Sequence, residues 1–193
     1  MPLGANKVAL YGASADTGTA VLLSTATASS SASLEFTLPT AYKQVTFGFY
    51  NIAPATNSQH FGFQVNASGQ TGYNETITST FFRAYHFENG AAQALDYLTG
   101  SDQAQGTAIQ HLFSSAGNDA DKSVAGELHL FNPASTTYVK HFYATTNGCQ
   151  DGAVTQNEFA AGYINVTAAI TAVQFAMTSG NIASGKIKMW GIK

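Results

Sequence analysis

The sequence predicts an all-β protein: a two-sheet antiparallel β-sandwich of the jelly-roll type with an extended N-terminal arm. Short runs of β-branched and aromatic residues alternate with polar residues and are bounded by Gly, Asn, Ser and Pro. About ten such runs, separated by turn residues, are typical of a sandwich. A chain of 193 residues is long enough for one well-buried core. We therefore expect one sandwich domain over residues 34–193 and an arm over residues 1–33.

The clearest strands carry one apolar face. Val45, Phe47 and Phe49 alternate with polar or small residues, and Leu128 and Leu130 do the same. Thr76–Glu88 is long and aromatic, which predicts a bulge or a bend between sheets, and Tyr138–Tyr143 carries aromatic residues on both faces, which predicts a strand covered on both sides. The other predicted strands are Ala20–Ser24, Leu34–Leu38, Phe61–Val65, Ala108–Phe113, Phe159–Val166, Ala172–Met177 and Lys186–Ile192, the last two joined as a hairpin through Thr178–Ser184.

Two segments favour a single helical turn each, Asn89–Leu95 and Gln156–Phe159. The segment Gly4–Ser33 is rich in Ala, Ser, Thr and Gly. Two interpretations of it are open: an extended arm that adds a strand to a neighbouring subunit, or a first edge strand followed by a surface linker.

Composition excludes several partners. Only 10% of residues are charged, against the ~25% usual for soluble domains, and the eight Lys and Arg are scattered. Nucleic acid is therefore not an expected partner, because phosphate binding needs a basic stripe. Met1–Lys7 lacks the apolar run of a signal peptide, and no stretch approaches the ~20 apolar residues of a membrane span, so we expect assembly in the cytoplasm and no membrane partner. A weakly charged surface suits packing against copies of the chain or a larger assembly.

The sequence assigns no catalytic, cofactor-binding or metal-binding residues. There is no Gly-x-Ser-x-Gly elbow, and the one cysteine, Cys149, has no base beside it and is interpreted as a half-buried residue in a Gly-rich turn. The segment 117–121 resembles a calcium loop in ligand type alone, and a solvated turn is the preferred interpretation. The histidines are His60, His86, His111, His129 and His141, of which His129 and His141 are the candidates to face each other across a hairpin. Such a pair could hold a metal or act as a pH switch, but polar positions on the outer face of a sheet are the preferred interpretation.

Acidic and aromatic residues leave two further possibilities. Paired carboxylates are needed for glycoside hydrolysis, but no pairing stands out among Asp96, Asp102, Asp119, Asp121, Glu127, Asp151 and Glu158. Sugar binding through stacking is the second possibility, with Tyr42, Tyr50, Tyr73, Tyr97 and Trp190 as candidate platforms beside Asn and Gln, although most such aromatic residues belong to the core.

Two segments carry a resemblance to a known family. In segment 125–142 a strand ends in Asn132-Pro133-Ala134-Ser135 and is followed by a strand that carries a lysine. In segment 169–192 a strand leads through Ser179-Gly180-Asn181 into a last strand with Trp190-Gly191. They resemble structural proteins of tailed phages of marine and freshwater bacteria. The likeness covers roughly the last third of the chain, and more loosely 42–85. It implies a virion component without catalytic residues, because the shared motif is a folding motif.

The first hypothesis is accordingly a non-enzymatic capsid decoration or cement protein, a homotrimer bound to the major capsid protein or another virion protein through its N-terminal arm. The alternative is a tail-fibre, knob or receptor-binding domain that contacts host-surface glycan. A polysaccharide depolymerase is the third hypothesis, disfavoured because the chain is short for a β-helix and lacks an internal repeat.

Overall fold

The computed structural model describes residues 19–193, which consist of strands, turns and loops. No helix in this range is long and apolar enough to cross a membrane. The twelve strands are β1 (Val21–Ser31), β2 (Leu34–Thr37), β3 (Gln44–Pro54), β4 (Gln59–Ala67), β5 (Ile77–Phe87), β6 (Gln93–Tyr97), β7 (Gln110–Ala116), β8 (Val124–Phe131), β9 (Lys140–Gln150), β10 (Val154–Ile164), β11 (Ile170–Met177) and β12 (Ile182–Ile192).

Eight of these strands form a jelly roll. One sheet has the order β1-β12-β3-β8, and the other has the order β2-β11-β4-β7, with antiparallel pairing throughout. The chain crosses from one sheet to the other at each of the connections β1–β2, β2–β3 and β3–β4. It crosses again at the connections β7–β8 and β11–β12. The predicted fold class is confirmed.

The remaining four strands extend the first sheet beyond β8, in the order β9-β10-β5-β6. We call these four strands the extension. Its outer face continues the outer face of the first sheet, so that eight adjacent strands present one broad surface. The second sheet joins the extension at a single residue pair, Ala116 with Gln150.

Phenylalanine rings from both sheets fill the core. Phe175 of β11 lies 5.0 Å from Phe47 and 5.3 Å from Phe49 of β3, measured between ring centroids. Phe63 of β4 meets Phe142 of β9 edge-on at 5.1 Å. All of these rings are almost fully buried. Edge-to-face contacts add to the hydrophobic stabilisation of burial, and the alternation in the sequence correctly predicted the buried residues of β3, β4 and β8.

Polar side chains complete the contact between β7 and the extension. Because β7 pairs with β9 at one position only, the backbone groups along that edge need other partners. The Ser114 N–H donates to Glu158 Oε2 at 2.6 Å, and the Ser114 carbonyl accepts from Gln156 Nε2 at 3.1 Å. The Leu112 carbonyl accepts from the Thr146 hydroxyl at 2.5 Å. Side chains of β9 and β10 therefore replace a missing neighbouring strand.

Several local predictions were wrong. The predicted helical turns are absent: Asn89–Leu95 is a turn followed by the first residues of β6, and Gln156–Phe159 lies within β10. Thr178–Ser184 does not make a hairpin, because β11 pairs with β2 and β4 whereas β12 pairs with β1 and β3. This connection crosses between the sheets.

Two further strand predictions also need correction. β5 pairs with β10 along its whole length in an unbroken register, without the expected bulge or change of sheet. In β9 the aromatic residues do occupy both faces, with Phe142 buried, but Tyr143 on the outer face is 43% exposed. The strand is covered on one side only.

The predicted arm falls into two parts. Residues 1–18 lie outside the described range. Residues Val21–Ser31 form β1, which pairs with β12 of the same chain, Ala28 opposite Gly185. The described part of the segment therefore matches the edge-strand interpretation, and β1 continues seven residues past the predicted end at Ser24.

Candidate functional site

Two of the five predicted stacking residues, Tyr50 and Trp190, line the same concavity on the outer face of the first sheet. The concavity has a volume of about 500 Å³. Glu127 and His129 of β8 line it as well. Trp190 lies on β12 and Tyr50 on β3, the strand between β12 and β8.

The floor is β3, which contributes Thr46, Gly48 and the exposed Tyr50. Thr46 is paired with Trp190 on one side and with His129 on the other. Gly48, the next outward-facing position, would place a Cβ atom 2.9 Å from Trp190 Cζ3 and 3.2 Å from Tyr50 Oη. The bare backbone at Gly48 lets both rings lie against the strand. A glycine inside a strand pattern is the sequence signal for such a close approach, and it was overlooked.

The His129 ring is held by side chains of β3. Its Nδ1 lies 2.8 Å from Gln44 Nε2 and 3.2 Å from Thr46 Oγ1. Nε2 lies 3.0 Å from Glu127 Oε1, but not in a geometry that makes a hydrogen bond. The ring stacks on Tyr143 with 4.4 Å between centroids.

The predicted contact between His129 and His141 does not form. The register pairs His129 with Tyr143, and the His141 ring meets Tyr163 at 6.2 Å between centroids. His86 is exposed on β5. Among residues 19–193, no three His, Cys, Asp or Glu side chains are grouped so that they could hold a metal ion.

The other two histidines form a pair that the sequence did not suggest. His60 of β4 and His111 of β7 stack with 4.3 Å between ring centroids and 10° between planes. His60 Nδ1 accepts from the Ser115 N–H at 3.2 Å, and His111 Nδ1 lies 3.1 Å from Ser101 Oγ. Burial lowers the pKa of His60. The pKa of His111 is lowered to about 4, mainly by burial and to a smaller extent by the charge of the neighbouring His60. Both rings are therefore uncharged at neutral pH.

The remaining candidate stacking residues are scattered. Tyr42 packs against the backbone of β12. The Tyr73 hydroxyl donates to Glu35 at 3.0 Å, and the Tyr97 hydroxyl donates to Asp102 at 2.6 Å. The hydrogen bond to Asp102 raises the pKa of Tyr97. Only the Tyr50 and Trp190 rings meet in a common concavity.

The segment 117–121 is a turn between β7 and β8. The Lys122 ammonium lies 2.7 Å from Asp119 Oδ2 and donates to the backbone carbonyl of Asp151 at 2.9 Å. Asp121 is exposed. A lysine thus already neutralises the carboxylate that a calcium ion would need, which agrees with the interpretation as a solvated turn.

Cys149 lies on β9, one position before the end of the strand, rather than in a turn. It is half-buried and free, and its N–H donates to the Ser123 carbonyl at 3.3 Å. Its backbone therefore contributes to strand pairing.

Glu158 has the environment closest to that of a catalytic acid. It is fully buried, and burial raises its pKa to about 7, against the opposing effect of the hydrogen bonds from Ser114. Its carboxylate lies between the sheets, however, where it satisfies the edge of β7. Arg83 on the adjacent strand contacts Asp96 at 3.6 Å. The sequence did not predict that Glu158 is buried, because in β10 the acidic side chain faces inward and the apolar Phe159 faces outward, the reverse of the usual alternation.

Lys140 is a second buried charge that the pattern did not predict. Its side chain is completely buried, and its ammonium donates to four backbone carbonyls, one in the connection before β9 and three in the connection after β10. Burial lowers the pKa of Lys140, whereas the carbonyl oxygens favour the ammonium form. The arrangement is a structural tie between loops.

No protein-family model matches the chain, and no curated protein matches it.

Proposed function

We propose that this protein is a non-enzymatic structural component of a bacterial virus particle, specifically a homotrimeric decoration or cement protein of the outer capsid shell. The likeness to tailed-phage structural proteins supports this, and its two segments correspond to β8 with the start of β9 and to β11 with β12. The observation that carries the proposal is an exposed, uncharged apolar surface on the extension.

This surface, which we call the extension face, consists of Phe82, Leu95, Tyr97 and Phe159 and the small residues around them. The Phe82 and Phe159 rings stack with 4.8 Å between centroids. Leu95 is 72% exposed and Tyr97 is 53% exposed. Since isolated exposed apolar residues are ordinary but contiguous ones mark interaction sites, the extension face is suited to contact another protein.

The partner we propose for the extension face is a second copy of the chain. None of the outward-facing residues of β10, β5 and β6 is Lys, Arg, Asp or Glu, so the three copies of a trimer can meet around a common axis through this surface without repelling one another. The edge of β6 is also unpaired within the described residues, which leaves backbone groups free for association. The outward-facing residues are Thr78, Thr80, Phe82, Ala84, His86, Gln93, Leu95, Tyr97, Thr155, Asn157, Phe159, Ala161 and Tyr163.

Light scattering coupled to size-exclusion chromatography tests the proposal with a matched pair of variants. Leu95→Ser removes the most exposed residue of the extension face and should shift the trimer toward monomer, because burying such a side chain contributes roughly 1.5 kcal/mol or more per contact. Tyr138→Ser changes a residue that is equally exposed, at 71%, but lies outside the extension face. It should leave the trimer intact.

A wild-type protein that is monomeric at micromolar concentrations would contradict self-association. So would equal behaviour of the two variants. The location on the particle is a separate question, because a tail-fibre domain is also expected to oligomerise. Copy number in purified virions separates the two locations, since a decoration protein is present in many copies and a fibre in few.

A further inference from the structure

The sequence contains Asn-Gly twice, and the two copies lie in different surroundings. Asn89-Gly90 is in the turn between β5 and β6, where both residues are exposed. Asn147-Gly148 is inside β9, and Gly148 is buried. A glycine after an asparagine favours attack of its backbone nitrogen on the asparagine side chain, because no Cβ obstructs the approach and the backbone adopts conformations closed to other residues.

The turn holds the reacting atoms of Asn89 and Gly90 on the same side. Asn89 Oδ1 accepts from the Ala91 N–H at 2.9 Å. This hydrogen bond closes a ring that contains both the Asn89 Cγ atom and the Gly90 nitrogen. It also draws electron density from the side-chain carbonyl, which makes Cγ a better electrophile.

The surroundings of Gly90 leave room for the reaction. Gly90 has φ of +71°, and a Cβ atom placed there would meet nothing within 4 Å. The Gly90 N–H donates to the Phe87 carbonyl at 3.0 Å. Because the turn is exposed, water can replace this single hydrogen bond at little cost, and the nitrogen is then free to lose its proton.

Strand β9 denies the same freedom to Asn147. Asn147 is paired with a residue of β8 on one side and with a residue of β10 on the other. Its side-chain Nδ2 donates to the Gln156 carbonyl at 2.9 Å, and a Cβ at Gly148 would lie 2.8 Å from Phe113 Cζ. Ring closure requires rotation of the backbone at Asn147, so hydrogen bonds to both neighbouring strands would have to break first.

We propose that Asn89 is a site of spontaneous modification, converted to aspartate and isoaspartate through a succinimide formed with Gly90. The deprotonated Gly90 nitrogen bonds to Asn89 Cγ, and the Cγ–Nδ2 bond breaks as Nδ2 leaves as ammonia with a proton from water. Water then adds to one of the two ring carbonyl carbons, and the bond from that carbon to the Gly90 nitrogen breaks while the nitrogen takes up a proton. Opening at Cγ gives aspartate, and opening at the backbone carbonyl gives isoaspartate. The net reaction consumes one water and releases one ammonia, without oxidation or reduction.

The products change both the charge and the backbone of the turn. Each converted chain gains one negative charge, on a chain whose net charge is −3. Isoaspartate also inserts one carbon into the connection between β5 and β6. Within the described residues β6 pairs with β5 alone, over five residue pairs, so we expect the hairpin to loosen. An effect on the extension face rests on the assembly proposed above, whereas the modification itself does not.

Peptide mapping by mass spectrometry of the full-length protein, aged in a mildly alkaline buffer, tests the proposal. Asn89 should gain the single dalton of deamidation at least tenfold faster than Asn147. The rate at Asn89 should rise with pH, because hydroxide removes the Gly90 proton. In denaturant, where no neighbouring strand protects Asn147, the two sites should react at rates within a factor of three of each other.

Two matched variants assign the acidic species that ion-exchange chromatography separates from the aged protein. Asn89→Gln would have to close a larger ring and should remove most of these species. Asn147→Gln should leave their amount unchanged. Equal rates at Asn89 and Asn147 in the folded protein would overturn the proposal, and so would an Asn89 rate more than tenfold lower in the folded than in the denatured chain. Light scattering of the fresh protein tests the trimer separately, so a monomeric fresh protein would contradict the assembly while the conversion of Asn89 proceeds as expected.

Discussion

Replacing Lys140 with methionine removes an ammonium group that ties together the connections at one end of the extension. The side chain is completely buried. Methionine keeps most of the apolar stem, so the change isolates the charged end. The ammonium donates to the carbonyls of Tyr138 at 2.9 Å, Val166 at 3.0 Å, Thr167 at 3.0 Å and Ala168 at 2.9 Å.

The expected loss of stability follows from these contacts. A hydrogen bond to a charged group contributes about 1.5–3 kcal/mol, and the ammonium has three protons to donate. Removing the charge also removes its desolvation cost of several kcal/mol, and water can reach part of the exposed connection. The balance predicts that Lys140→Met lowers the free energy of unfolding by about 3 kcal/mol. For a chain of this length the melting temperature should fall by about 6–12 °C.

Urea unfolding followed by circular dichroism measures this change. The midpoint should fall while the slope stays constant, because the surface exposed on unfolding is nearly the same. Lys186→Met is the matched control: Lys186 is exposed on β12, and its loss should change stability by less than about 0.5 kcal/mol. Equal stabilities of the Lys140 and Lys186 variants would refute the reasoning.

The pH profile should reveal two opposed titrations. The folded pKa of His111, about 4, lies below its ordinary 6.5, so its contribution is complete above pH 6.5 and is lost as pH falls toward 4. The folded pKa of Glu158, about 7, lies above its ordinary 4.5, so its contribution is complete below pH 4.5 and is lost as pH rises through 7. Each shift corresponds to about 3 kcal/mol of stability. Because the two contributions cancel in the wild type, its free energy of unfolding should be nearly constant from pH 4.5 to 6.5. Over the same range the free energy of unfolding should fall as the pH is lowered in Glu158→Gln and as the pH is raised in His111→Gln; parallel profiles of the two variants would contradict this. Gly126→Ala should cost about 3 kcal/mol in urea unfolding, because Gly126 has φ of +152° and a Cβ would lie 2.3 Å from the Thr145 carbonyl oxygen. Gly100→Ala, where a Cβ meets nothing within 4 Å, should be neutral, and equal costs would count against that explanation.

The strands with one apolar face could be predicted from the sequence because a single local rule governs them. Val45, Phe47 and Phe49 all point into the core, as their alternation requires. β1 was predicted only as far as Ser24, since its continuation is composed of small polar residues and is held by β12, which lies far away in the sequence. Long-range pairing of this kind leaves no local signal.

The site and the buried charges were harder to predict, for a related reason. Tyr50 and Trp190 were named as stacking candidates, but their meeting depends on the pairing of β3 with β12. The inward orientation of Glu158 reverses the usual alternation, because the free edge of β7 requires a hydrogen-bond acceptor there. Such requirements arise only once the two sheets are packed together.

Cryo-electron microscopy of the intact virus particle tests the central claim most directly. The account predicts jelly-roll density at regular positions on the outer capsid shell, in groups of three, with the extension face buried between copies. Density for this chain confined to the tail, or arranged on the shell with the extension face open to solvent, would contradict it.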